Sequence, residues 1–167
     1  MNKTIIYPGT FDPITYGHID IIERTAYIFD KVIVSIINKP VKSQFLFSVE
    51  ERFEMVKKSV ECFDNVQVEI FDGLLIDYAR KKNVKTIVRG LRAITDFEYE
   101  FQMALINKKL AHTIETLFMM TCEKYSYLSS SVVKEVVSYG GNVSEFVPDF
   151  IAEKLQQKLS ETYNKPN

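Results

Sequence analysis

A short strand, a tight turn and the start of a helix follow one another near the beginning of the chain, and this transition limits the folds open to it. The run TIIY at residues 4–7 is apolar and rich in β-branched side chains, as expected for a buried parallel strand. Proline and glycine then interrupt it, and apolar residues recur at helical spacing from Ile19 onward. Gly17 and His18 are therefore predicted to lie in or just before the first helical turn, where free backbone N–H groups favour a bound anion.

The same alternation of strand and helix patterns continues along the chain. Apolar or alternating runs at residues 32–37, 66–70, 86–88 and 116–120 predict further strands, with helical patterns between them. Helical patterns after the last of these runs, the final one opened by Pro148, predict a C-terminal helical extension. This order predicts an α/β fold, a doubly wound (Rossmann-like) parallel sheet of about five strands with right-handed crossovers. Ligands of such sheets bind at the carboxyl ends of the strands, where the chain order reverses.

The composition is typical of one globular domain. The chain has 167 residues, 46% of them hydrophobic, and we expect a single domain at residues 1–160 and a frayed polar tail at 161–167. A net charge of −1 without a long basic run argues against nucleic-acid and membrane binding. Only Cys62 and Cys122 are present, with neither an apolar leader nor a Cys/His cluster. We therefore expect a reduced, cytoplasmic protein without a structural zinc site.

Three sequence blocks resemble a known enzyme family. The segment TYGH at residues 15–18 matches the T-x-G-H signature of the nucleotidyltransferase superfamily. The longer string YPGTFDPITYGHIDI at residues 7–21 is similar to the phosphopantetheine adenylyltransferases. RGLRA at residues 89–93 with DFEYE at 96–100, and YSYLSSSVVKE at 125–135, resemble the other two signature blocks of that family in the same order. The resemblance covers nearly the whole chain.

This resemblance implies a topology, an activity and an assembly. It implies the strand order 3-2-1-4-5, which brings the loops after the first and fourth strands together where the order reverses. The implied reaction transfers AMP from MgATP to 4′-phosphopantetheine and releases pyrophosphate and dephospho-coenzyme A, a step of coenzyme A biosynthesis. The family also implies a homohexamer. Mg²⁺ is expected to be held by the ATP phosphates and water, because the sequence has no dedicated carboxylate cage.

The resemblance further implies roles for individual residues. The residues implied to be catalytic are His18 and Lys42. The residues implied to bind the acceptor are Thr10, Lys42, Leu75, Arg89, Asn107 and Glu135. Those implied to bind ATP are Thr10, Phe11, His18, Gly90, Leu91, Arg92, Glu100, Tyr125, Ser126, Tyr127, Leu128, Ser129, Ser130 and Ser131. Ser131 is also predicted to cap the helix that follows it. Tyr99 and Met103 are interpreted as packing residues, and no residue is implied to bind a metal ion.

The residues themselves leave alternatives open at several of these positions. A lone histidine such as His18 is commonly structural, and a lysine in a polar loop such as Lys42 is commonly a solvated surface residue. Arg89 follows a buried strand, so its side chain is delivered to the crevice, where a guanidinium suits forked contacts with phosphate. It could instead pair with one of the acids at residues 96–100 in a surface network.

Two other functions remain open from the sequence. Adenylyl or cytidylyl transfer to another phosphorylated acceptor, such as nicotinate mononucleotide or glycerol phosphate, would use the same framework. A non-catalytic adenine-nucleotide sensor would use the same anion-binding geometry without turnover. The presence of both His18 and Lys42 favours an enzyme, since a sensor needs neither.

Overall fold

The computed structural model describes residues 3–38, 45–92 and 94–163. Strands and helices alternate along these residues. The strands are β1 (Thr4–Gly9), β2 (Lys31–Ile37), β3 (Val66–Phe71), β4 (Thr86–Leu91) and β5 (Glu115–Met120). The helices are α1 (Tyr16–Ile28), α2 (Val49–Ser59), α3 (Leu75–Lys81), α4 (Ile94–Leu110), α5 (Ser130–Ser138) and α6 (Asp149–Tyr163), with a short 3-10 turn at Glu123–Tyr125.

The strands form one parallel sheet in the order β3-β2-β1-β4-β5. This order confirms the predicted fold class and topology. β1 lies in the middle, and the chain order reverses between β1 and β4. The crevice expected for a ligand therefore lies above the carboxyl ends of these two strands.

β1 continues through Pro8 and Gly9, where the sequence predicted a break. Both residues pair with β2, whereas β1 pairs with β4 at Ile6. The N–H and C=O groups of one strand residue point to the same side, and the carbonyl of Pro8 accepts a hydrogen bond from Arg89 of β4. The N–H that proline lacks would thus face β4, so the proline removes no hydrogen bond from the ladder with β2.

The side chains of β1 alternate between two apolar clusters, one on each face of the sheet. Ile5 and Tyr7 belong to the larger cluster, which includes residues of α1, α2, α5 and α6. Ile6 belongs to the smaller cluster, which includes residues of α3. Ile5 and Ile6 are fully buried, and burial of each such side chain contributes about 1.5–3 kcal/mol. The core thus fixes the central strand and the point at which its loop begins.

Two helix starts show how local sequence sets the helix boundaries. The capping box predicted for α2 is confirmed, because Ser48 accepts from the N–H of Glu51 and donates its own N–H to the Glu51 carboxylate. The cap of α5, in contrast, is Ser129 and not Ser131. Ser129 has an extended backbone and its Oγ accepts the N–H of Val132 at 3.1 Å, whereas Ser131 already lies inside the helix.

Within the described ranges, no helix is both long enough and apolar enough to span a membrane.

Candidate active site

A cavity of about 800 Å³ lies above the carboxyl ends of β1 and β4. The loop after β1, the end of β4, one face of α4 and the start of α5 contribute to its wall. The predicted site residues that line it are Thr10, His18, Leu75, Arg89, Gly90, Arg92, Glu100, Asn107, Leu128, Ser129, Ser130 and Ser131. The fold therefore brings residues from distant parts of the chain together at the predicted crevice.

Of the other predicted site residues that the structure describes, none lines this cavity. Phe11 is 1% exposed and packs edge-on against His18, with 5.2 Å between the ring centroids. Leu91 is also buried. The others are Tyr125, Ser126, Tyr127 and Glu135, which do not line the cavity. Lys42 lies outside the described residues. The roles assigned to these residues stay predictions, although Phe11 clearly supports the histidine ring.

Two atoms of Thr15 hold the ring of His18. The backbone N–H of Thr15 donates to His18 Nδ1 at 3.1 Å, and Thr15 Oγ1 lies 2.9 Å from the same nitrogen. Because Nδ1 accepts a hydrogen bond from a backbone N–H, it carries no proton, and the neutral ring must carry its proton on Nε2. Nε2 has no hydrogen-bond partner within the described part of the chain. His18 therefore presents an N–H donor at the cavity.

Burial and two nearby arginines keep His18 uncharged. Burial is the largest cause, Arg92 and Arg89 add to it, and together they lower the pKa of His18 from 6.5 to about 3. The imidazole is thus a neutral hydrogen-bond donor at neutral pH. Such a donor can stabilise negative charge on a phosphoryl group without itself gaining or losing a proton.

Arg89 extends from β4 and binds Glu100 of α4. Its Nε donates to Glu100 Oε2 at 2.6 Å, its Nη2 donates to Oε1, and its Nη1 donates to the carbonyl of Pro8 at 2.7 Å. Burial opposes the charge on Arg89, but the Glu100 carboxylate outweighs burial and raises the pKa of the guanidinium above its ordinary value. The alternative that Arg89 pairs with one of the acids at residues 96–100 is therefore correct as to the partner. The pairing occurs in the cavity wall and not on an open surface, since the two side chains are 29% and 13% exposed.

Arg92 and the start of α5 form another polar part of the wall. Arg92 Nη1 donates to the carbonyl of Leu128 at 3.1 Å. Ser130 Oγ donates to the carbonyl of Pro13 at 2.7 Å, which ties α5 to the loop after β1. Backbone N–H groups at a helix start, with serine hydroxyls and a guanidinium beside them, favour phosphate oxygens.

Two buried polar side chains that the sequence did not reveal brace the loop after β1. Asp12, 3% exposed, accepts hydrogen bonds from the backbone N–H groups of residues 46–47 and pairs with Lys134 of α5 at 2.7 Å. Arg52 of α2, 1% exposed, donates to the carbonyl of Thr10 at 2.7 Å and to two carbonyls at the end of β2. Both sides of the loop are thus fixed to neighbouring elements.

The end of β5 is tied to α1 close to His18. Asp20 Oδ2 accepts the N–H of Cys122 at 3.1 Å and pairs with Arg24 at 3.2 Å. Arg24 also donates to the carbonyl of Met120 at 2.6 Å. These contacts set the path of the chain from β5 towards α5.

Tyr99 and Met103, interpreted as packing residues, line the cavity instead. Together with Asn107 they are spaced by four residues, which places them on one face of α4. The four-residue spacing back from Asn107, a predicted site residue, would have identified Tyr99 and Met103 as site residues from the sequence. Tyr7 also lines the cavity, and burial raises the pKa of its hydroxyl above the ordinary value, so it stays protonated. A Cβ on Gly90 would lie 3.3 Å from Ile21 Cγ1 and 3.4 Å from Tyr7 Oη, so glycine permits the close packing of β4 against α1.

The polar groups of the cavity suit phosphate better than a metal ion. Within residues 3–38, 45–92 and 94–163, no group of three His, Cys, Asp or Glu side chains is placed to hold a metal ion. Among the wall residues that the structure describes, Glu100 is the one carboxylate, and both of its oxygens are bonded to Arg89.

Comparison with known proteins identifies the class to which this fold and cavity belong. A family model described as cytidylyltransferase-like matches residues 6–136, from β1 into α5, and the chain belongs to that family. The solved structure of a nicotinic acid mononucleotide adenylyltransferase from Plasmodium falciparum, complexed with NaAD, has a TM-score of 0.69 over 98% of this chain and 97% of that chain. At 12% identity this likeness shows the shared fold.

Closer relatives identify the branch of the family. The phosphopantetheine adenylyltransferase of Caldanaerobacter subterraneus subsp. tengcongensis is 55% identical over 160 residues, covering 96% of this chain and 99% of the relative. That of Desulfosudis oleivorans is 51% identical over 162 residues, covering 97% and 96%. The chain belongs to the phosphopantetheine adenylyltransferase family, which confirms the resemblance of the three sequence blocks.

Proposed function

We propose that the chain transfers the adenylyl group of MgATP to 4′-phosphopantetheine, releasing pyrophosphate and dephospho-coenzyme A in coenzyme A biosynthesis. Membership of the phosphopantetheine adenylyltransferase family supports this reaction. The structural observation that carries the proposal is the neutral imidazole of His18, with its proton on Nε2, beside Arg89 and Arg92 at the point of strand reversal.

In this reaction an oxygen of the acceptor phosphate attacks the α-phosphorus of ATP. The bond from that phosphorus to the bridging oxygen breaks, and pyrophosphate leaves with the electron pair. The attacking oxygen is ionised at neutral pH, so no general base is needed, and catalysis comes from alignment and charge stabilisation. The N–H of His18 and the guanidinium of Arg92 serve to stabilise charge on the α-phosphoryl group. Removal of one such donor typically raises the barrier by about 2.7–4 kcal/mol.

The acceptor is assigned to the part of the cavity near β4 and α4. Arg89 is assigned to its phosphate together with Thr10, and both line the cavity. Leu74, Leu75 and Met103 supply apolar wall for the pantetheine arm. Lys42 stays a predicted catalytic contact to the acceptor phosphate, since it lies outside the described residues.

The triphosphate of ATP is assigned to the start of α5, where Ser129, Ser130 and Ser131 line the cavity. Mg²⁺ enters this scheme as part of MgATP, carried by phosphate oxygens and water. The described residues fit that assignment, because the wall offers donors to phosphate and no carboxylate cluster to the metal.

We also propose that the chain assembles with copies of itself. Apolar side chains on α4 that are 44–56% exposed support this, namely Phe97, Phe101, Leu105, Ile106 and Leu110. An exposed apolar surface of this kind favours burial against a partner. The homohexamer of the resemblance is the assembly we propose, in the cytoplasm, where the two unpaired cysteines would remain reduced.

An acceptor panel tests the proposed function. Pyrophosphate release is measured with MgATP and 4′-phosphopantetheine, nicotinate mononucleotide or glycerol 3-phosphate. We expect 4′-phosphopantetheine to give the highest kcat/KM, because only its long arm can use the apolar wall. Equal or faster turnover of another acceptor would refute the substrate assignment. ATP binding without turnover of any acceptor would instead indicate a nucleotide sensor.

A further inference from the structure

The guanidinium of Arg89 is only partly used by the protein. An arginine side chain has five N–H groups in a planar fork. Glu100 takes one from Nε and one from Nη2, and the carbonyl of Pro8 takes one from Nη1. One N–H on each Nη has no partner among the described residues, and Arg89 lines the cavity. The protein therefore orients the group by one edge and by Pro8, and leaves two donors for a ligand.

Glu100 is committed to this arrangement by both of its oxygens. Its carboxylate contacts the guanidinium side-on and is 13% exposed. A carboxylate repels phosphate oxygens, so this acid is poorly suited to touch a triphosphate directly. Through Arg89, however, it places a fixed cation where an anion can bind.

We infer that Glu100 is a positioning residue for the acceptor, which holds Arg89 so that its two remaining N–H groups meet the acceptor phosphate. This inference rests on the proposed function. It gives Glu100 a role different from the ATP contact implied by the family resemblance. Without Glu100, the guanidinium would keep only its bond to the carbonyl of Pro8 and would be free to rotate away from the acceptor phosphate.

The variant Glu100→Gln tests the inference, with Glu98→Gln as the matched control. Glu98 is an exposed acid on the same helix and loses the same charge. For Glu100→Gln, KM for 4′-phosphopantetheine is expected to rise roughly 10- to 100-fold, the factor for losing one charge-assisted hydrogen bond, with kcat and KM for ATP changed less than about threefold. The control should match the wild type. If Glu100→Gln does not fold, Glu100→Asp, which keeps the charge but shortens the reach, should shift KM in the same direction.

A double-mutant cycle separates positioning from direct contact. In the Arg89→Ala background, Glu100→Gln should have no further effect on acceptor affinity, because Glu100 acts only through Arg89. Additive losses, unchanged acceptor KM, or a loss confined to ATP affinity would each overturn the inference. Calorimetric binding of 4′-phosphopantetheine to the same variants needs no turnover. A wild type that binds this compound but does not adenylylate it would therefore refute the proposed function while leaving the test of Glu100 intact.

Discussion

The neutral state of His18 makes the stability of the fold depend on pH in a defined window. The pKa of His18 is about 3 in the folded chain, mainly because of burial, against 6.5 for an ordinary histidine. Between these values the unfolded chain binds a proton that the folded chain does not, so stability falls as pH decreases. The contribution of uncharged His18 to the free energy of unfolding is complete above about pH 6.5. Between pH 8 and pH 5 the folded protein loses about 2 kcal/mol of stability through this residue.

Between pH 8 and pH 5, the carboxylates with shifted pKa values contribute little to the change in stability. Burial opposes ionisation of Glu51 and Glu69, but hydrogen bonds from Lys158 and Lys82 outweigh it and lower the pKa of each below the ordinary 4.5. Their contribution to stability is therefore lost mainly below about pH 5. The loss above pH 5 can be assigned to His18.

Urea unfolding at pH 8, 7, 6 and 5, at one protein concentration, measures the effect. The control is His18→Asn, whose amide oxygen can still accept the N–H of Thr15 but which does not titrate. We expect the wild type to lose about 2 kcal/mol more than this variant between pH 8 and pH 5. Parallel stability curves, or an NMR titration that places the pKa of His18 near 6.5 in the folded protein, would refute the argument that burial and the two arginines keep it neutral.

Two further predictions concern catalysis and assembly. His18→Ala should lower kcat by roughly two to three orders of magnitude, because a hydrogen-bond donor to the transition state is lost. The affinity for ATP, measured by calorimetry, should change much less. An unchanged kcat would remove His18 from the mechanism. Phe101→Glu places a charge on the exposed apolar surface of α4. It should reduce the mass measured by light scattering from that of a hexamer, whereas the control Glu98→Gln should not. A wild-type protein that is monomeric at assay concentration would contradict the proposed assembly.

The fold was predictable because local patterns carry most of its information. The alternation of apolar runs predicted the strands, and the pair Ser48 and Glu51 marked the start of α2 from sequence alone. The strand order came from the family resemblance and not from these patterns. The error at Pro8 arose because the effect of a proline depends on which neighbouring strand its missing N–H faces, and no local pattern records that.

The site was predictable to the extent that its residues lie in short motifs. His18, Arg89 and the serines at residues 129–131 belong to such motifs, and all reach the cavity. The partner of Arg89 was not predictable, because several acids lie at residues 96–100 in the first turns of α4. Only the tertiary structure selects Glu100 among them. Arg52 left a weak signal, a charged residue on the inward face of α2 beside Met55. Its carbonyl partners come from other segments and leave no trace in the local pattern.

The contacts that close the cavity also determine when it can form during synthesis. Arg89 is 81 residues from Pro8, Cys122 is 102 residues from Asp20, and Lys134 is 122 residues from Asp12. The central strand leaves the ribosome before its neighbour β4, which follows roughly 4–16 seconds later at about 5–20 residues per second. Throughout that interval one hydrogen-bonding edge of a largely buried strand has no native partner. The long separation of β1 and β4 in the sequence thus gives the nascent protein a period of vulnerability to aggregation, which ends only when the second half of the sheet arrives.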